Sequence, residues 1–240
     1  MLPISEVFYS IQGEGSTCGY PSVFMRLGGC NLMCGGMGTQ FDKKLYNGAT
    51  WRCDTIEVWM KSKQKKYDEI LSNEQIQALK NKAHLIITGG EPLMHQEQLI
   101  EFIDWFLKEY CFIPNIEIET NGTISPYHEL AKNIYQFNCS PKLTNSGNNK
   151  SAFFNHTAIK IINGYNSIFK FVISVEKDWE EIKETYLPLI DKNKIWLMPS
   201  GENQKLLSQS KIIAAEICKS QYLKFTNRLH IEIWNKKTGV

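Results

Sequence analysis

Three cysteines carry the chemistry this chain could do. Cys30 and Cys34 stand in the run Arg26-Leu27-Gly28-Gly29-Cys30-Asn31-Leu32-Met33-Cys34, and Cys53 follows after 18 residues, in Arg52-Cys53-Asp54-Thr55. A closed tetrahedral zinc site takes four protein ligands. An iron–sulfur cube needs a ligand on each of its irons, and most cubes take four cysteines. Three thiolates would leave one iron open to a molecule that is not protein. Spacing alone leaves two other readings open. One is zinc with a distant fourth ligand among His84, His95, His128, His156 and His230, none of which has a regular spacing to the cysteines. The other is a set of free thiols, although the polar Gly/Asn setting of Cys30 and Cys34 is unlike a core segment.

Such a triad must be positioned by a framework, and the hydrophobic pattern suggests one. Apolar or alternating runs predict strands over 22–27, 84–88, 115–120, 135–140, 168–174, 194–198 and 229–234. Between them, Ser72 and Gln75 form a capping-box pattern before a helix to about residue 82. Leu99, Phe102, Ile103, Phe106 and Leu107 have helical spacing, Pro126 opens a short helix, and 178–186 and 204–219 read as further helices. Alternation of this kind predicts an α/β fold with a mostly parallel sheet and outer helical crossovers. In such sheets ligands bind beyond the carboxyl ends of the strands. Five segments rich in turn residues fall there: 28–34, 88–92, 120–123, 140–142 and 199–202. Together they outline one pocket.

Size and composition narrow the class. The chain has 240 residues, a net charge of +2 and seven cysteines. One domain over 1–240 is expected, interrupted by a glycine-containing irregular loop at about 35–52. The near-neutral charge gives no case for nucleic acid, and the short basic run 61–66 reads as a solvated loop or helix end. No signal peptide or membrane span is evident, so a cytoplasmic protein is expected. Cys139 and Cys218 lie in apolar segments and read as reduced core residues. The tail 236–240 is left open between closing over the pocket and fraying.

Four segments in fixed order resemble a known family. They are Phe8-Tyr9-Ser10-Ile11-Gln12-Gly13-Glu14-Gly15, Phe24 to Cys34, Cys53-Asp54-Thr55 and Thr88-Gly89-Gly90-Glu91-Pro92. They resemble 7-carboxy-7-deazaguanine synthase, of the radical S-adenosylmethionine superfamily. The family usually closes its motif as Cys-x3-Cys-x2-Cys, so the 18 residues between Cys34 and Cys53 read as an insertion. The resemblance implies a partial, open (β/α) barrel with a [4Fe–4S] cluster on Cys30, Cys34 and Cys53, and S-adenosylmethionine on the fourth iron. It implies a radical ring contraction of 6-carboxy-5,6,7,8-tetrahydropterin to 7-carboxy-7-deazaguanine with loss of ammonia, feeding queuosine biosynthesis.

The same resemblance assigns residues. Cofactor contacts are implied at Gly89, Gly90 and Glu91, at Ser140, Pro141 and Lys142, and at Met198, Pro199, Ser200 and Gly201. Substrate contacts are implied at Ile11, Gln12, Gly13, Glu14, Arg26, Thr88, Glu119 and His230, with Arg26 suited to a carboxylate. Thr55 is the implied protein ligand of Mg²⁺, and Asp54 would orient its shell. A homodimer and a flavodoxin or ferredoxin as electron donor are also implied. Two alternatives compete: an activase of a glycyl radical enzyme, with the same thiolate logic, and a non-enzymatic zinc-binding interaction domain.

Overall fold

The segment His84-Leu85-Ile86-Ile87 has no polar face, so it needs cover on both sides. In the computed structural model, which describes residues 1–235, 237 and 239, it forms a strand inside a nine-stranded sheet. The strands are β1 (Leu2–Ile11), β2 (Pro21–Leu27), β3 (Lys63–Lys65), β4 (His84–Gly89), β5 (Ile116–Thr120), β6 (Gln136–Cys139), β7 (Ser167–Ile173), β8 (Ile195–Pro199) and β9 (Lys224–Phe225). Their order is β3-β1-β2-β4-β5-β6-β7-β8-β9. From β2 to β9 every neighbouring pair is parallel, whereas β1 runs antiparallel to both β2 and β3. The sheet has two ends, β3 and β9, and is an open, partial barrel, as expected.

Side-chain alternation sorts the two faces. On β5, Ile116 and Ile118 join the core beneath the helices, together with Leu99, Phe102, Ile103 and Phe106 of the helix Gln96–Tyr110. Their neighbours Glu117 and Glu119 point the other way, into the barrel. There Glu117 accepts from Thr17 Oγ1 at 2.9 Å and Asn138 Nδ2 at 2.6 Å, and pairs with His84 Nδ1 at 2.6 Å. Buried polar groups of this kind are tolerable because they satisfy one another. The Ser72–Gln75 capping box forms at the start of the helix Asn73–Lys80.

Four expectations are corrected. The first strand of the sheet is β1, whose register shifts at a bulge between Ile4 and Glu6, so no regular alternation marks it. The basic run near 61–66 holds the edge strand β3, in register with Leu2, Pro3 and Ile4; lysines at an edge discourage further pairing. A helix, His156–Asn163, lies where no element is predicted, capped by Asn155, which accepts from the backbone N–H groups of Thr157 and Ala158. Residues Leu229–Trp234, read as the last strand, form a helix. Their apolar alternation does not reflect a two-sided strand, since Ile231 is buried while Ile233 is half exposed. Of the tail, Lys237 and Gly239 border the cavity at the carboxyl ends of the strands, whereas Lys236, Thr238 and Val240 lie outside the described residues.

Candidate active site

The 18-residue insertion returns to its origin. The N–H of Cys53 donates to the carbonyl of Cys34 at 3.1 Å, so two residues distant in sequence are backbone neighbours. Gly35 N donates to Ser146 O at 2.9 Å, Tyr46 N to Gly35 O at 2.8 Å and Thr50 N to Asn145 O at 2.9 Å. Lengthening this connection from two residues to 18 carries a closure entropy of about 2 kcal/mol, which these anchors offset. Cys30, Cys34 and Cys53 gather around Leu32, Trp51 and Phe153. Burial pushes the Cys30 thiol up to about 11 and the Cys34 thiol up to about 12. Among the described residues no three His, Cys, Asp or Glu side chains converge on a single ion. A cube asks less convergence than zinc does, since each thiolate binds its own iron.

Beside the cysteines runs the Gly89-Gly90 turn. Gly90 N donates to Leu27 O at 3.1 Å and Glu91 N to Gly29 O at 2.9 Å. A Cβ on Gly90 would lie 1.6 Å from Gly29 O, so no other residue fits against the cysteine loop. The turn presents backbone, rather than side chains, to the cavity. Glu91 behaves differently from the expectation that it faces a ligand. Its carboxylate is fully buried and accepts from Leu93 N, Thr120 Oγ1 and Asn121 N at 3.0, 2.7 and 2.7 Å. It braces two rim loops against each other. Asn121 then reaches Asn31 at 2.9 Å, and Asn31 reaches Thr123 at 2.8 Å, fixing the cysteine loop from a third side.

All five predicted rim segments border one cavity of about 950 Å³. Its other side is a ladder of alternating charges. Lys170 Nζ, 1% exposed, bonds Glu119 Oε2 at 2.8 Å and Glu14 Oε2 at 3.0 Å. Arg228 bonds Glu14 Oε1 at 3.1 Å, Asp54 Oδ2 at 2.6 Å and Gly201 O at 2.6 Å. The ladder thus runs from β5 to the residue after Cys53. Burial alone would raise the Glu14 carboxyl, but Lys170, Arg228 and His230 overcome it and hold Glu14 well below the usual carboxylate range. Glu119 shares only Lys170 and faces the charge of Glu14, so burial leaves its carboxyl raised. Burial, and then Arg228, keep the His230 imidazole pKa low.

Most of the predicted residues meet here. Cys30, Cys34, Cys53, Thr55, Ile11, Gln12, Gly13, Glu14, Arg26, Thr88, Gly89, Gly90, Glu119, Ser140, Lys142, Met198, Pro199, Ser200, Gly201 and His230 all border the cavity. Glu91 and Pro141 do not. Gln12 Oε1 accepts from Gly13 N at 2.8 Å, and its amide donates to Glu119 Oε1 at 3.1 Å. Arg26 is paired with Glu6 at 2.9 Å and lies over the Phe8 ring, so its guanidinium is not idle. His230 arrives on the last helix, where Leu229 N donates to Gly13 O at 2.8 Å. Sequence reasoning missed Lys170 and Arg228. Lys170 had a signal, a lone charge inside the apolar run Ser167-Ile168-Phe169-Lys170-Phe171-Val172-Ile173. Arg228 had none.

Fold and site together define an iron–sulfur enzyme of the radical S-adenosylmethionine type, with a three-cysteine corner at the open end of a partial barrel. A family model described as "4Fe-4S single cluster domain" matches residues 11–138. The chain is 30% identical to 7-carboxy-7-deazaguanine synthase of Halobacterium salinarum, covering 98% of this chain and 91% of that protein. It is 30% identical to the Pyrobaculum aerophilum enzyme of the same name, over 98% and 96%. The Aquifex aeolicus enzyme is 32% identical, over 92% and 88%. The crystal structure of QueE from Escherichia coli superposes with a TM-score of 0.63 at 26% identity, covering 95% of this chain and 94% of that one. The chain belongs to the 7-carboxy-7-deazaguanine synthase family. These relationships do not favour the glycyl-enzyme activase or the zinc-binding interaction domain.

Proposed function

We propose that this chain is a carbon–nitrogen lyase that contracts 6-carboxy-5,6,7,8-tetrahydropterin to 7-carboxy-7-deazaguanine with release of ammonia, in queuosine biosynthesis. One observation supports it above others: cysteine corner, glycine turn and charge ladder border the same cavity. When bound, the cluster and S-adenosylmethionine supply one-electron chemistry that removes a hydrogen atom from the substrate. Cys30, Cys34 and Cys53 would hold the cluster. The donor set fits, being three thiols clustered among apolar side chains. The Gly89–Gly90 backbone, Ser140, Lys142 and the 198–201 loop would hold S-adenosylmethionine. Glu91 and Pro141 would act through the loops they brace.

The ladder side suits the pterin. Gln12, Gly13, Glu14, Thr88 and Glu119 offer the acceptors and amides that a guanidine-like ring edge needs. Lys170 holds Glu14 and Glu119 in place. His230 and Arg26 flank the carboxylate, and a neutral His230 can donate or accept without adding charge. Thr55 is the proposed protein ligand of Mg²⁺. An ion that keeps several waters needs few protein oxygens, and Asp54 has one oxygen engaged by Arg228. One domain built on the continuous sheet, a homodimer, a cytoplasmic setting and a flavodoxin- or ferredoxin-type donor complete the proposal. No helix among the described residues is long and apolar enough to cross a membrane. The test is anaerobic: purified four-iron protein, carboxypterin, S-adenosylmethionine and a reductant should yield 7-carboxy-7-deazaguanine and ammonia. A brown, fully loaded protein that makes neither would overturn the assignment.

A further inference from the structure

The loop after β6 does more than border the cavity. Asn145 and Ser146 grip both ends of the insertion. Asn145 O accepts from Thr50 N, Asn145 Oδ1 accepts from Trp51 Nε1 at 2.9 Å, and Asn145 Nδ2 ties the bracket to Val172 O at 3.2 Å. Ser146 O accepts from Gly35 N. Gly147, at φ +74°, lies directly under the insertion, and a Cβ there would stand 2.7 Å from Tyr46 O and 2.9 Å from Gly36 N. Asn148 completes the bracket. Its Oδ1 accepts from Met33 N at 3.0 Å, and its Nδ2 donates to Cys34 Sγ at 3.6 Å and to Ser146 Oγ at 3.2 Å.

That last pair of contacts fixes a side-chain dipole. The acceptor end is held by the residue before Cys34, and the donor end by Ser146, so the amide cannot turn its oxygen toward the sulfur without losing both bonds. We infer that Asn148 is a positioning residue for the iron–sulfur cluster, its side-chain amide aimed at the Cys34 thiolate so as to raise the cluster's reduction potential. Reduction adds one negative charge, which spreads onto the thiolates. A fixed N–H dipole at one sulfur stabilises the reduced state more than the oxidised one. The inference rests on Cys34 being a cluster ligand. No residue of the Cys30-Asn31-Leu32-Met33-Cys34 run itself supplies such a donor to Cys34; the bracket supplies it from 114 positions away.

The experiment measures iron per chain and the midpoint potential of the cluster, by anaerobic EPR-monitored titration without S-adenosylmethionine, in the parent and two variants. Asn148→Asp keeps an acceptor for Met33 N but replaces the donor with a charge; Asn148→Leu removes the dipole. Both are expected to retain the parent's iron content, with potentials lowered in the order parent, Leu, Asp. Unchanged potentials at full iron content overturn the inference. Loss of iron in both variants also overturns it, by making Asn148 an assembly residue. Cys34→Ala tests the underlying reading separately: full iron content there removes Cys34 as a ligand, whatever the Asn148 variants do.

Discussion

The two sides of the cavity are held by opposite means. The cysteine corner is fixed by backbone hydrogen bonds, close glycine contacts and apolar packing around Leu32 and Phe153. The substrate side is fixed by the ladder Glu119–Lys170–Glu14–Arg228–Asp54, in which every link is an ion pair between 2.6 and 3.1 Å. Burial pushes the Cys30 and Cys34 thiols up, which disfavours their thiolates. The ladder's carboxylates face Lys170 and Arg228, and buried charge is tolerated only when paired and hydrogen-bonded. On the ladder side the charges therefore come with their counter-ions, whereas the thiols of the corner are packed among apolar side chains.

This contrast can be broken at either side. The largest effect is expected at the corner. Cys34→Ala should abolish stable four-iron loading and turnover, read as iron per chain and product formed. Next is Gly90→Ala, whose new Cβ meets backbone rather than a flexible side chain. A displacement of about 1 Å in a positioning loop can cost on the order of 10²-fold in rate. We expect a loss of that order in kcat/KM, together with weaker S-adenosylmethionine binding by equilibrium titration.

The ladder should respond more in stability. Lys170→Met leaves Glu119 without a cation and Glu14 with Arg228 alone, and removing one partner of a buried pair costs roughly 3–5 kcal/mol. Urea unfolding of the apo-protein should show a loss of that size with an unchanged m-value. Arg228→Lys keeps the charge but cannot reach Glu14, Asp54 and Gly201 together, since only a guanidinium forks. About a tenfold loss in kcat/KM is expected, from roughly 1.4 kcal/mol of misalignment, with smaller loss of stability.

The smallest effect is in pH. Glu14 has a folded-state pKa depressed below its ordinary value of 4.5. Its contribution to stability is therefore present above pH 4.5 and fades as pH falls below it. Thermal denaturation of the apo-protein should lose stability across that range, and Lys170→Met should flatten the slope. An equal slope in both proteins would remove Glu14 as its source.

Much of this was legible because it is local. The run Leu85-Ile86-Ile87 has to be covered on both faces, the Leu99–Phe106 spacing has to be a helix, and Ser72 with Gln75 has to cap one. The nearness of Cys30 to Cys34 was legible because they share one short loop, whereas Cys53 came with them only through the family resemblance. The failures have physical reasons too. β1 is bulged between Ile4 and Glu6, which breaks the two-residue period that would have marked it as a strand. Leu229–Trp234 alternates like a strand, yet its partner is the Gly13 carbonyl at the barrel mouth rather than a sheet edge. Glu91 matched a motif, but only its surroundings reveal that Thr120, Asn121 and Leu93 occupy both oxygens.

By itself the sequence determined the alternation of strands and helices and the five rim loops, because periodicity and turn composition act over a few residues. The return of the insertion to Cys34, the bracket at Asn145 to Asn148, and the joining of Glu14, Lys170 and Arg228 were decided by tertiary structure alone. The Cys53–Cys34, Thr50–Asn145, Cys34–Asn148, Glu14–Lys170 and Glu14–Arg228 contacts link residues 19 to 214 positions apart, and no local propensity encodes which distant carbonyl or charge a side chain will meet once the barrel curls.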